Sequence, residues 1–107
     1  MRLLIVEDDD VIVSNLKTLL INEAFAVDSA VDLAEGTDKA LSGEYDLLIV
    51  DWMLPDGEGT TLIKTMRDHQ LHTPALLLTA KSQQEDIIAG LNIGADDYVS
   101  KPYEAQV

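Results

Sequence analysis

At 107 residues and 47% apolar, the chain can bury one domain's core and is too apolar for a disordered segment. No apolar run exceeds five residues, far short of the roughly 20 a membrane span requires, and the absence of cysteine excludes disulfides and thiol chemistry. A net charge of −13 repels phosphate backbones and anionic bilayers, so direct nucleic-acid or membrane-surface binding by this segment is not expected.

The chain opens on a strand-like segment without the basic stretch and cleavage site of a secretion signal, so a cytoplasmic location is expected. Leu3 to Val6 form the first apolar run, ending in Glu7-Asp8-Asp9-Asp10. A helix follows, with Ile12, Leu16, Leu19 and Leu20 at helical spacing. Asp9 and Asp10 at its start are read as capping residues. Phe25 to Ala30 read as a second strand. Asp32 with Glu35 resembles a capping box, opening a helix that buries Leu33, Ala40 and Leu41 and ends at Gly43.

Leu47 to Val50 run straight into Asp51, and a Pro55-Asp56-Gly57 turn follows. Such an apolar run bounded by turn signals predicts a strand buried on both faces. Thr60 to Arg67 read as helix with Leu62, Ile63 and Met66 inward. Pro74 precedes another apolar strand, Ala75 to Leu78, ending in Thr79. Ser82 with Glu85 opens a fourth helix with Ile87, Ile88 and Leu91 on its apolar face and Gly94 at its end. Asp97 to Ser100 form a last strand before Lys101-Pro102. The alternation predicts an α/β fold, a doubly wound five-stranded parallel sheet.

In such a sheet the strand ends share one edge, where open α/β folds hold their ligands. Glu7-Asp8, Asp51, Thr79 and Lys101 are therefore brought together by topology. Three carboxylates in one crevice repel one another and call for a hard cation, for which Mg2+ is the natural candidate. A cation, an ammonium and a hydroxyl are what a phosphoryl group's oxygens require in transfer. Asp51 is accordingly read as a nucleophile that carries a phosphoryl group.

The segments LLIVEDD, LLIVDWMLPDGEG, LLLTAK and GADDYVSKP resemble the receiver domain of bacterial two-component response regulators, closest to the branch with a C-terminal winged-helix DNA-binding domain. The resemblance covers essentially the whole chain. It implies a flavodoxin-like (βα)5 fold of strand order 2-1-3-4-5, and Asp51 as acceptor of phosphate from a sensor histidine kinase. It further implies Asp8 on Mg2+ directly, Glu7 through water, and the backbone carbonyl of Met53 completing the metal shell. Thr79 and Lys101 match the pair that grips the phosphate, Lys101-Pro102 falls where the family has a cis peptide, and Tyr98 matches the switch aromatic. The implied function is a phosphorylation-operated switch of transcription rather than an enzyme, its only chemistry being on itself.

Two features depart from that branch. Ile87 stands where relatives carry a basic residue used in salt bridges across the activated dimer. The fifth helix is cut off after Tyr103-Glu104-Ala105-Gln106-Val107. The homodimer surface of fourth helix, fifth strand and fifth helix is thus expected to be incomplete, and any DNA-binding domain to lie outside the chain. The missing helix is also expected to reduce stability. Ala80 leaves the phosphate open, while Met53, which flanks it with Lys81, cannot orient an attacking water; slow self-hydrolysis is expected.

Other functions fit less well. A haloacid-dehalogenase-type phosphatase needs an aspartate two residues after its nucleophile, where Met53 stands. A dinucleotide- or flavin-binding domain wants a glycine-rich turn after the first strand, where Glu7-Asp8-Asp9-Asp10 would repel an anion. A non-phosphorylated receiver would lack site residues that this chain has. His69 and His72 follow the third helix without other ligand types nearby, and Trp52 is read as a packing residue.

Overall fold

The computed structural model describes residues 1–79 and 97–100, with Thr79 and residues 97–100 described by their backbone. Five strands, β1 (Arg2–Val6), β2 (Ala26–Ala30), β3 (Leu47–Asp51), β6 (Ala75–Thr79) and β7 (Asp97–Ser100), form one parallel sheet in the order β2-β1-β3-β6-β7. Counting only these main strands, the order is the expected 2-1-3-4-5. After β3 lies a feature the sequence did not announce: the turn at Pro55-Asp56 closes a two-stranded antiparallel hairpin, β4 (Met53–Leu54) with β5 (Gly57–Glu58). The described helices are α1 (Asp10–Asn22), α2 (Leu33–Ser42) and α3 (Gly59–Asp68). The expected fourth helix, with Ser82, Glu85, Ile87, Ile88, Leu91 and Gly94, lies outside the described residues, as do Ala80, Lys81 and Lys101-Pro102.

The sheet divides its apolar residues by the two-residue period of a strand. On one face Leu4, Val6, Leu48, Val50 and Leu77 pack with Ala40 of α2 and Leu62, Ile63 and Met66 of α3. On the other, Leu3, Ile5, Ile49 and Leu78 meet Ile12, Val13, Leu16 and Leu20 of α1. Leu3 to Val6 are at most 1% exposed, which is why β1 reads as an unbroken apolar run rather than an alternating one.

One inward assignment is corrected: Leu41 is 38% exposed, and Leu19, at helical spacing in α1, is also open to solvent at 41%. In α1, apolar residues also occupy positions 11, 12, 13, 16, 20 and 21, more than one stripe can hold. In α2 the buried residues are Gly36 and Ala40; a Cβ on Gly36 would stand 2.7 Å from Val6 Cγ1. The helix thus sits too close to β1 for large side chains there. Phe25 lies past the end of α1, its N–H donating back to the Leu20 carbonyl of that helix at 3.1 Å, so β2 starts one residue later than read.

Helix ends follow local chemistry. Asp9 caps α1, accepting from the N–H groups of Val11 and Ile12 at 2.9 and 3.3 Å. Asp32 caps α2 through Glu35 N–H at 2.8 Å, while the Glu35 carboxylate reaches Val31 N–H rather than the cap's own. Gly43 closes α2 in an extended conformation, not the left-handed one. His69 ends α3, its Nδ1 2.8 Å from the Thr65 carbonyl.

In the middle of the edge strand β2, Asp28 Oδ2 accepts from the Tyr45 hydroxyl and from Arg2 Nη2, both at 2.8 Å. The Arg2 guanidinium also lies 5.0 Å over the Tyr45 ring. The Tyr45 bond first, then Arg2, holds the Asp28 carboxyl below its ordinary value of 3.8. Burial first, then the Asp28 bond, raises the Tyr45 phenol above 10.0. The depressed Asp28 therefore contributes stability above pH 3.8 that is lost as pH falls through its lower folded value. The raised Tyr45 contributes below pH 10.0 and is lost as pH rises through its folded value. Tyr45→Phe is expected to cost up to about 1 kcal/mol at neutral pH, since water screens the half-exposed Asp28. Denaturant melts across pH will check that the deficit shrinks at both extremes.

Candidate functional site

Every parallel strand delivers its C-terminal end to one edge. Val6 pairs with Val50, and Asp51 with Leu78. Glu7, the residue after β1, therefore arrives beside Asp51, the last residue of β3. Glu7 N–H donates to the Ala30 carbonyl at 3.0 Å, which continues the β1–β2 ladder one step and fixes the carboxylate's direction. Trp52 N–H donates to the Leu78 carbonyl at 2.8 Å and does the same for β3.

Glu7, Asp8 and Asp51 each bring one carboxylate oxygen into a group whose members all lie within 4.8 Å of one another. Glu7 is 1% and Asp51 4% exposed, whereas Asp8 is open to solvent. Two backbone donors orient the buried pair: Asp9 N–H reaches Glu7 Oε2 at 3.2 Å and Met53 N–H reaches Asp51 Oδ1 at 3.3 Å. The donor set is all hard carboxylate oxygen, two of the three held away from water and one facing it. That composition fits Mg2+, which takes oxygen ligands and keeps several waters.

The remaining expected residues fall as follows. Thr79 ends β6 and pairs with Ser100, so its backbone stands one step past Leu78, the partner of Asp51. Tyr98 lies in β7 opposite Leu77. Met53 opens the hairpin, its side chain 55% exposed. Lys101 lies outside the described residues. Trp52 is 3% exposed and packs in the core with Leu54, Leu62 and Ile63, deeper than a loop residue and away from any stacking role. His69 and His72 stay outside the acidic group.

Sequence reasoning missed Asp56. Its carboxylate accepts from Leu33 N–H at 2.7 Å and Ala34 N–H at 3.0 Å, across the start of α2. Those amides, Leu33 first, draw the Asp56 carboxyl below its ordinary value. Asp-Gly after proline signals only a turn, and nothing local points to a helix 22 or 23 positions earlier.

Comparison with known proteins agrees with this geometry. The family model for the response regulator receiver domain matches residues 3–107. The chain is 46% identical over 105 residues to the transcriptional regulatory protein DltR of Streptococcus agalactiae, covering 98% of this chain and 47% of that protein. It is 43% identical over 105 residues to the response regulator ArlR of Staphylococcus aureus, covering 98% and 48%. The chain thus spans about half the length of these curated relatives. Among solved structures, the receiver domain of Francisella response regulator 1452 superposes with a TM-score of 0.92 at 31% identity, covering 98% of this chain and 87% of that one. The chemotaxis response regulator CheY4 of Vibrio cholerae gives 0.92 at 27% identity, covering 98% and 89%. Among the described residues no helix is long and apolar enough to cross a membrane.

Proposed function

Because the chain belongs to the response regulator receiver family, whose members are phosphorylation-operated switches fed by sensor histidine kinases, we propose that Asp51 is the residue that carries its phosphoryl group. One observation supports this above the others. The carboxylates of Glu7, Asp8 and Asp51 converge within 4.8 Å at the C-terminal edge of the sheet, with Asp51 oriented by the Met53 amide.

In the proposed step an Asp51 carboxylate oxygen attacks phosphorus and forms a P–O bond. The P–N bond to the kinase histidine breaks, its electron pair returns to that nitrogen, and the imidazole leaves neutral, carrying a proton on its other ring nitrogen or taking one from water. Asp8 would hold Mg2+ directly, Glu7 through water, and the Met53 carbonyl would complete the protein's share. Bound Mg2+ supplies positive charge to the phosphoryl oxygens. Lys101 and the Thr79 hydroxyl take the remaining oxygens, and Tyr98 follows Thr79 inward. The added charge of about −1.5 to −2 creates bonds available only in the modified state, which bias two arrangements of the last two strands and the helix between them.

The output is proposed to be transcriptional, through a DNA-binding part of a longer cytoplasmic protein and a homodimer formed over the fourth helix and fifth strand. The curated relatives support this, since one is a transcriptional regulatory protein and both are about twice as long.

Incubation with acetyl phosphate and Mg2+, followed by intact mass, tests the proposal. A gain of one phosphoryl group is expected. No gain at saturating donor would overturn it in favour of a non-phosphorylated interaction domain. Followed over time, the same assay reports lifetime. The exposed thioether of Met53 cannot orient water, so Met53→Asn is expected to shorten the half-life severalfold.

A further inference from the structure

Asp56 has no part in the chemistry above, yet its carboxylate makes two close bonds to another element. Oδ1 accepts from Leu33 N–H at 2.7 Å and Oδ2 from Ala34 N–H at 3.0 Å. Asp32 already caps this helix by taking Glu35 N–H at 2.8 Å, and its carbonyl takes Gly36 N–H at 3.0 Å. All four N–H groups of the first turn are thereby satisfied, two of them from 22 and 23 residues away. One capping residue suffices for most helices. What the second carboxylate adds is a fixed point for the hairpin on which it stands.

The other end of that hairpin is fixed to β3. Gly59 N–H donates to the Trp52 carbonyl at 2.8 Å, and Gly59 lies against the Asp51 carbonyl with no room for a side chain. Between these two anchors runs the main chain of Met53, whose N–H meets Asp51 Oδ1 at 3.3 Å. Without Asp56 the hairpin would keep its Gly59 end and the packing of Leu54 in the core, but lose its hydrogen bonds to α2.

We infer that Asp56 is a positioning residue for the acidic site, tying the β4–β5 hairpin to α2 so that the Met53 main chain stays against Asp51. This rests on the assignment of Mg2+ to Glu7, Asp8, Asp51 and the Met53 carbonyl. Asp56 touches none of the reacting atoms, and its effect passes through the hairpin backbone. The helix amides also keep it ionised, so both oxygens remain acceptors at neutral pH.

The test uses the single tryptophan, Trp52, next to Asp51, as a fluorescent reporter of Mg2+ titration. Wild type, Asp56→Ala, Asp56→Asn and Asp32→Ala are compared, each also melted without Mg2+. Asp32→Ala removes a cap from the same helix and leaves the hairpin's tie intact. Asp56→Ala is expected to weaken Mg2+ binding about threefold to tenfold, the scale of losing a capping interaction. Asp56→Asn, keeping one acceptor oxygen, falls between, and Asp32→Ala stays within about twofold of wild type although it also melts lower. Equal Mg2+ affinity in wild type and Asp56→Ala would overturn the inference, as would equal losses in Asp56→Ala and Asp32→Ala. A wild type that gives no response to Mg2+ would instead overturn the metal assignment, and the inference with it.

Discussion

Asp51→Asn is expected to abolish phosphoryl uptake from acetyl phosphate and, in Mg2+-free buffer, to raise the melting temperature above that of wild type. The first effect is chemical, because the carboxamide has no anionic oxygen with which to attack phosphorus. The second follows from crowding. Glu7 and Asp51 are 1% and 4% exposed, and with Asp8 they bring their oxygens within 4.8 Å. At an effective dielectric near 20, two unit charges so spaced repel by roughly 3–4 kcal/mol. Backbone donors to Glu7 and Asp51 offset part of that, leaving a net gain of about 1–2 kcal/mol for the variant. For a domain of this size each kcal/mol moves the midpoint by about 4–8 °C.

With Mg2+ present the order should reverse. Wild type gains stability that rises with the logarithm of one plus the ratio of Mg2+ concentration to Kd, while the variant has lost one ligand and gains less. Thermal melts of both proteins, with chelator and with Mg2+, check the crossing. A variant that melts at or below wild type in chelator would show that the protein's own groups already neutralise the cluster.

How much of this was legible depended on how local the cause was. β1, β3 and β6 end at or one residue past their apolar runs, because strands buried on both faces leave no alternation to misread. The acidic site followed from those ends, since parallel topology alone brings Glu7, Asp8 and Asp51 to one edge. The faces of α1 and α2 were harder. Leu19 and Leu41 have helical spacing, yet α1 carries too many apolar residues for one stripe, and α2 turns its small residues, Gly36 and Ala40, to the sheet. Hydrophobicity ranks leucine above glycine for burial, but distance to β1 decides it. Asp56 was illegible for a related reason: its partners on α2 are joined to it only by the folded backbone.

Gly59→Ala is expected to be the more damaging substitution, although it adds a single methyl. A Cβ there would fall inside contact with the Asp51 carbonyl oxygen, 2.6 Å from Val50 Cγ1 and 3.0 Å from the Asp51 carbonyl carbon. None of these neighbours can give way easily. Val50 is 0% exposed, and the backbone of Asp51 is locked in register with Leu78. Nor can α3 withdraw, because Leu62, Ile63 and Met66 are at most 1% exposed within the core. Overpacking commonly costs about 1–3 kcal/mol; a clash with buried backbone belongs at or above the top of that range, a large share of the ~5–15 kcal/mol that holds a domain together. The strain falls on the residue proposed to react. A displacement of about 1 Å at a reacting centre can cost up to roughly 100-fold in rate. Leu62→Ala provides the comparison, since it loses about 2–5 kcal/mol by opening a cavity in the same core without touching Asp51. At a temperature where both variants are folded by circular dichroism, phosphorylation by acetyl phosphate should be slowed in Gly59→Ala and near wild type in Leu62→Ala. Equal rates in the two would mean that Gly59 serves stability alone, and that the Asp51 backbone has more freedom than its register with β6 implies.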